Sequence, residues 1–316
     1  MSVFSERLHR MQTVLITGAS GFVGENLAHR FAREAEVAVA YGTQRPRAVT
    51  EKAFSVDLAV RDDFTRALGD LTVDTVIHTA AMVSPDQCEK NPHMAQAVNV
   101  EGTREVAHWA EARNATMVYF STDLVFDGKK GNYNEEDAPA PLNVYGRTKL
   151  AGEEEVLRIC TRWVVVRLAL SYGTTRGARG DWTLSMRRAL DAGKTLHLYT
   201  DQFRTPAYVG DTAEAVFRLV RSGSKGIYHM GGGERVSRYD FAQKFCRLFG
   251  LDEQRFVPVR MKETRMDAPR ATDCSLDTEK ITRKIGLVPC GVEQGLRLQK
   301  SEEAALAEAD RSPPRD

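Results

Sequence analysis

The chain has 316 residues, 42% of them hydrophobic and 28% charged, with a net charge of +1. That length supports one large core or two unequal domains, and the mixed charges form neither a basic stripe for nucleic acid nor an acidic block. No run of about 18 apolar residues is present to cross a membrane, and the seven histidines lack metal-ligand spacing, so no metal is expected. The N-terminus MSVFSERLHRMQ lacks the apolar stretch of a signal peptide. Five widely spaced cysteines without a Cys-x-x-Cys pair fit free thiols in a reducing, cytoplasmic setting.

From Thr13 onward, short β-branched runs alternate with amphipathic stretches. TVLITG is a predicted buried strand, GENLAHRFARE the helix after it, EVAVAYG a second strand and VRDDFTRAL a helix. DTVIHTAA is the third strand, HMAQAVNVEGTREVAHWAEARN a long helix and TMVYFSTD the fourth strand. VYGRTKLAGEEEVLRI is the next helix, and WVVVRLAL the fifth strand. Strands apolar on both faces, alternating with helices, predict an α/β fold: a doubly wound parallel sheet over residues 1–172, with some later segments returning to it. Residues 173–300 read as a smaller mixed lobe on the carboxyl side of the sheet, holding helices such as DTAEAVFRLVRSG and strands such as KTLHLY and GIYHM. Within it TTRGARGDW reads as a mobile loop, and residues 301–316 as a frayed tail.

The turn TGASGFVG follows the first strand directly. Gly18 allows a tight turn, Gly21 lets a pyrophosphate approach the backbone, and Gly24 lets the helix pack close to the sheet. The helix N-terminus then offers free N–H groups to the phosphates, which predicts a dinucleotide cofactor. An NAD site wants an acid roughly 20 residues further on. The second strand instead ends VAYGTQRPR, with Thr43, Gln44, Arg45 and Arg47, which suits the 2′-phosphate of NADP(H) over NAD(H). Asp57 and Leu58 are candidates to close over the adenine.

Tyr145 and Lys149 stand at i and i+4 of a helix and so share one face. If that face looks onto the nicotinamide, the ammonium lowers the phenol's pKa and makes Tyr145 a proton donor for carbonyl reduction. Thr122, at the end of the fourth strand, is placed to hold the carbonyl oxygen; strand alternation lets only one of Ser121 and Thr122 face the site. His78 reads as a packed strand residue, Asp86 and Glu89 as parts of a solvated loop, and Trp182 as either a cover for the substrate or a helix anchor.

The order TGASGFVG, HTAA, STDLVFDG, APLNVYGRTKLAGE and DQFRTPAYVGD resembles the extended short-chain dehydrogenases/reductases, in the dTDP-4-dehydrorhamnose reductase branch, from about Thr13 to about Gly295. The resemblance implies a Rossmann domain with a C-terminal substrate lobe, and NAD(P)H-dependent reduction of a nucleotide-linked 4-keto sugar. It assigns Thr122, Tyr145 and Lys149 to the chemistry, Ser20, Gly21, Phe22 and Val23 to the pyrophosphate, and Ala80 and Ala81 to the cofactor cleft. Asp123, Arg204 and Arg270 are candidates for the substrate. The same branch holds the regulatory β subunit of methionine adenosyltransferase, which binds NADP and serves another enzyme, so a cofactor-binding role without turnover is the alternative. Two departures bear on the substrate. Leu170 stands where the reductases carry a tryptophan, and Ala268 replaces the first arginine of an Arg-Pro-Arg, leaving Pro269 and Arg270. Arg204 either compensates for that lost cation or braces the lobe. In this family the two helices beside the site often build a four-helix dimer interface, so a homodimer is one expected assembly.

Overall fold

The computed structural model describes residues 13–47, 50–176 and 180–311. In chain order the elements are β1 (Thr13–Thr17), α1 (Phe22–Phe31), β2 (Glu36–Tyr41), β3 (Ala53–Ser55), α2 (Asp63–Leu68), β4 (Thr75–His78), α3 (Pro85–Lys90), α4 (Pro92–Gln96), α5 (Thr103–Ala112), β5 (Thr116–Thr122), α6 (Val144–Ile159) and β6 (Trp163–Leu168). There follow β7 (Ser171–Tyr172), α7 (Trp182–Asp191), β8 (Leu196–Tyr199), β9 (Phe203–Arg204), β10 (Ala207–Tyr208), α8 (Val209–Arg221), β11 (Gly226–Met230), β12 (Val236–Ser237), α9 (Arg238–Phe249), β13 (Phe256–Val259), α10 (Glu279–Ile285) and α11 (Val292–Arg311).

Seven strands form one sheet in the order β11-β6-β5-β4-β1-β2-β3, and every pairing in it is parallel. Alternation along each strand splits the core into two layers. Val14, Ile16, Ile77, Val118, Phe120, Val164 and Val166 face one side, under α1 and α8. Leu15, Val76, Met117, Tyr119 and Val165 face the other, under α2, α5 and α6. The chain reverses direction across the sheet between β1 and β4, and a crevice opens there at the strand carboxyl ends, which is where such sheets take ligands. This is the predicted Rossmann arrangement.

Three expectations change. GIYHM, read as part of the lobe, is β11 and pairs with β6 as the seventh strand, from Gly226↔Val164 to Met230↔Leu168. Likewise α8 packs on α1, with Phe31 and Phe217 edge to face at 5.4 Å and Arg30 bonded to Glu214 at 2.6 Å. The apolar pattern of both segments is the same whichever core they join, so sequence did not distinguish the destinations. The tail is the third. Helix α11 runs to Arg311, and its buried Gln299 donates to Thr183 while Glu302 accepts from Tyr208 at 2.6 Å. Only residues 312–316 of the expected frayed tail, and part of the expected mobile loop, fall outside the described residues.

The second lobe has its own core of Tyr172, Met186, Leu190, Phe241, Phe245, Phe256 and Leu296. The long predicted helix is α4 and α5 joined by a π-helical stretch, Ala97–Gly102. The extra residue per turn carries Asn99 inward, where it accepts from Met82 N at 2.8 Å and donates to Thr148 at 3.0 Å.

Candidate active site

The turn after β1 is closed tightly enough to need its glycines. Gly18 sits at φ +70°, and a Cβ there would lie 2.6 Å from the Ala80 nitrogen. A Cβ on Gly24 would strike the Gly18 carbonyl oxygen. Gly21 caps α1 without a side-chain bond, so first-turn N–H groups stay free for an anion. This cradle, which any side chain would fill, fits a dinucleotide pyrophosphate. From it runs a cleft of about 710 Å³. Ser20, Phe22, Val23, Ala80 and Ala81 line it, and Thr43, Asp57 and Leu58 close its outer end. Gln44 and Arg45 are exposed and off the lining, and Arg47 reaches instead to the Arg176 carbonyl at 3.5 Å. Nearby, Glu25 in the first turn of α1 is 1% exposed, and neither carboxylate oxygen has a hydrogen-bond partner among the described residues. Burial pushes its carboxyl up to about 7, against the pull of Arg47 and Arg176.

The middle of the cleft is where β5 ends and α6 begins. Asn143 caps α6 by accepting from Gly146 N at 2.9 Å, and Glu89 accepts from Val144 N at 2.9 Å. Glu89 is therefore no solvated loop residue: it fixes the start of the helix that carries Tyr145. Thr122 and Tyr145 both line the cleft. The Thr122 hydroxyl donates to Asp123 at 3.1 Å and accepts from Leu124 N at 3.2 Å. Ser121 lines the cleft as well, but its hydroxyl donates to Glu153, which leaves Thr122 as the hydroxyl nearer in its bonding to the cleft residues Asp123 and Leu124.

Lys149 lies behind this wall. It is 2% exposed and off the lining, with its ammonium 4.1 Å from the centre of the Tyr119 ring. Burial pulls Lys149 down to about 7, opposed by Glu153. Burial also pushes the Tyr145 phenol above its ordinary value, opposed by Thr122. The expected acidifying effect of Lys149 on the phenol is absent: burial dominates, Lys149 is not among the groups that move Tyr145, and the phenol keeps its proton. His78 packs as expected, bonded to Thr17 at 2.7 Å and to Thr103 at 3.1 Å, with burial holding it neutral at about 3.

The far end of the cleft is cationic. Arg204 spends its guanidinium on Asp123, at 3.2 Å, and on the carbonyls of Phe203, Ala271 and Thr272. It braces the lobe. Arg270 pairs with Asp86 at 2.6 Å, so Asp86 too has a partner and is not merely solvated. Arg238, at the start of α9, lines the cleft with its guanidinium over the Trp182 ring at 3.9 Å. No carboxylate pairs with it among the described residues. Burial and the neighbouring Arg204 and Arg270 pull it down to about 9. Trp182 anchors its helix, its ring tilted against Phe241 with centroids 4.9 Å apart.

Sequence reasoning missed Arg238, because SRYD reads as an ordinary helix start. It also missed Glu153, which accepts two bonds from Arg167 beneath the site, at 3.0 and 2.8 Å. A signal for that pair existed in the lone arginine of the apolar run WVVVRLAL.

Residues 11–303 match the family profile described as RmlD substrate binding domain. The probable low-salt glycan biosynthesis reductase Agl14 of Haloferax volcanii is 32% identical over 86% of this chain and 91% of its own length. The methionine adenosyltransferase 2 subunit beta of Pongo abelii is 31% identical over 85% of this chain and 81% of its own. Among solved structures, dTDP-4-dehydrorhamnose reductase from Bacillus anthracis in complex with NADP superposes with a TM-score of 0.82 at 26% identity, over 92% of this chain and 99% of that one.

Proposed function

The chain belongs to the RmlD substrate-binding-domain family and is an NAD(P)H-dependent oxidoreductase, and on that premise we propose that it reduces a nucleotide-linked 4-keto-6-deoxy sugar with NADPH. The observation that carries the proposal is the order of groups along one continuous cleft: a pyrophosphate cradle at Gly18–Gly24, then Thr122 and Tyr145, then Arg238 and Arg270. A cationic far end suits the diphosphate of a sugar nucleotide, since guanidinium pairs well with phosphate oxygens. Arg238 supplies there the cation that Ala268 lacks.

When bound, the nicotinamide supplies a hydride to the carbonyl carbon. Thr122 holds the carbonyl oxygen, and Tyr145 gives that oxygen its proton. A phenol whose pKa is raised by burial keeps its proton until an alkoxide develops beside it, which is the form a reduction needs. Lys149, buried behind Tyr145, supplies a positive field at the phenolate left after transfer. Thr43 at the outer end, and the absence of an acid after β2, favour NADPH over NADH.

NADPH oxidation over dTDP-, GDP- and UDP-linked 4-ketosugars tests this. At least one sugar is expected to turn over, and Tyr145→Phe should slow it by about 10² or more with cofactor binding retained. A second reading takes its support from the likeness to methionine adenosyltransferase 2 subunit beta: a cofactor-binding subunit without turnover. NADP binding, no oxidation with any sugar, and a partner enzyme retained in pulldown would favour it and overturn the reductase.

A further inference from the structure

We propose that Glu153 is a positioning residue for Lys149: fixed from behind by Arg167 and Ser121, its carboxylate keeps the lysine charged inside the fold. The proposal rests on the reading of Tyr145 and Lys149 as the proton-handling pair.

Tyr145, Lys149 and Glu153 fall at i, i+4 and i+8 of α6, on one face. Lys149 and Glu153 are each 2% exposed, and Arg167 is 3% exposed. The Glu153 carboxylate takes a bidentate grip from Arg167, through Nε at 3.0 Å and Nη2 at 2.8 Å, and a further bond from the Ser121 hydroxyl. Arg167 Nη1 has no hydrogen-bond partner among the described residues.

Stability alone explains this pair poorly. Burying both charges costs several kcal/mol of solvation per ion, and apolar side chains of similar volume often do as well. Its orientation suggests a different use. The carboxylate end raises Lys149, while Arg167 is not among the groups that move it. Lys149 itself makes no ion pair among the described residues, so its charge in this apolar setting depends on a field rather than a contact.

The other groups facing Lys149 leave that role to Glu153. From β4, His78 is neutral and locked between two threonines. From β5, the Tyr119 phenol is pushed well above its ordinary range by burial and donates to the Lys149 carbonyl at 3.2 Å. From α3, Cys88 also raises Lys149, less than Glu153 does, but burial and Glu89 push its thiol up to about 11 and it stays protonated while the lysine titrates. Beyond Tyr145, Asp123 is committed to Arg204. From β6, Arg167 is spent on Glu153 itself.

The test is a titration of Lys149 by NMR on 13Cε-lysine protein without cofactor, with Lys149→Met assigning the signal. Glu153→Gln should lower the Lys149 midpoint by about 1 pH unit or more, as loss of a nearby opposite charge does; Glu153→Asp should restore most of it. Because Glu153→Gln leaves Arg167 without a counter-ion, the double variant Glu153→Gln/Arg167→Gln is measured beside it. It should melt closer to the parent and still titrate Lys149 low. In the active protein, the alkaline limb of kcat/KM should move down with the midpoint while the acid side keeps the parent rate within a few-fold. An unchanged Lys149 midpoint in both variants overturns the proposal. The titration needs neither cofactor nor substrate, so its outcome is independent of the ketosugar panel.

Discussion

The two ends of the cleft are built in opposite ways. The cofactor end is backbone: a turn, a helix N-terminus and three glycines, all within Gly18–Gly24 and all next to one another in the chain. The far end, proposed for the substrate, is side chains brought from Asp86, Asp123, Arg204, Arg238 and Arg270, spread over most of the chain, and all but Arg238 are held by ion pairs. The lesson is about robustness as well as origin. A backbone cradle tolerates change in the side chains around it, whereas a cationic pocket assembled from distant residues is only as good as the pairs that hold each charge.

Breaking the brace should have the largest effect. Arg204→Met leaves Asp123 buried without its counter-ion and should lower unfolding stability by about 3–5 kcal/mol, read from urea melts. Arg204→Met/Asp123→Asn should recover a large part of that loss. If the single variant melts like the parent, the substrate end is not held by this pair.

Next in size is the free cation. Arg238→Ala should raise KM for a sugar nucleotide about 10–100-fold, the scale of one charge-assisted hydrogen bond to phosphate. The NADPH dissociation constant should stay near the parent's. An equal loss at both ends would erase the contrast drawn here.

The smallest effect belongs to the cofactor end, and it is a gain. Glu25 has a folded-state pKa of about 7, above its unfolded value. Between the unfolded pKa and about 7 the folded state binds the extra proton, so stability falls as pH rises through that window and is flat above it. Glu25→Gln should therefore stabilise the cofactor-free protein by about 1–2 kcal/mol at pH 8 and by little near pH 4. Thermal melts at the two pH values check the sign.

What was legible in the sequence follows the same division. The glycine turn, the Ser121-Thr122 strand end and the Tyr145–Lys149 spacing are local, and each kept its place in the fold. The parallel sheet was legible through its five apolar runs, but β3, only three residues long, and β11, which returns from beyond the lobe, were not. Arg238 could not be read, because its surroundings come from Trp182 and Arg204, 56 and 34 residues away in sequence. Glu153 sat in a run of three glutamates that looks like an exposed helix face, and only its partner Arg167 hinted otherwise. Lys149 is expected on the cleft face beside the phenol and on the cofactor, but it lies buried behind the lining, because depth of burial is a property of the packed molecule.

The Arg204 guanidinium fastens the segment after Thr122 to both the β9 edge and the 271–272 backbone. Floor and roof at the far end of the cleft are thereby tied to each other through one side chain. On the proposed reading, discrimination among sugars falls to the contour of the cleft wall, where Leu170 leaves more room than an indole would.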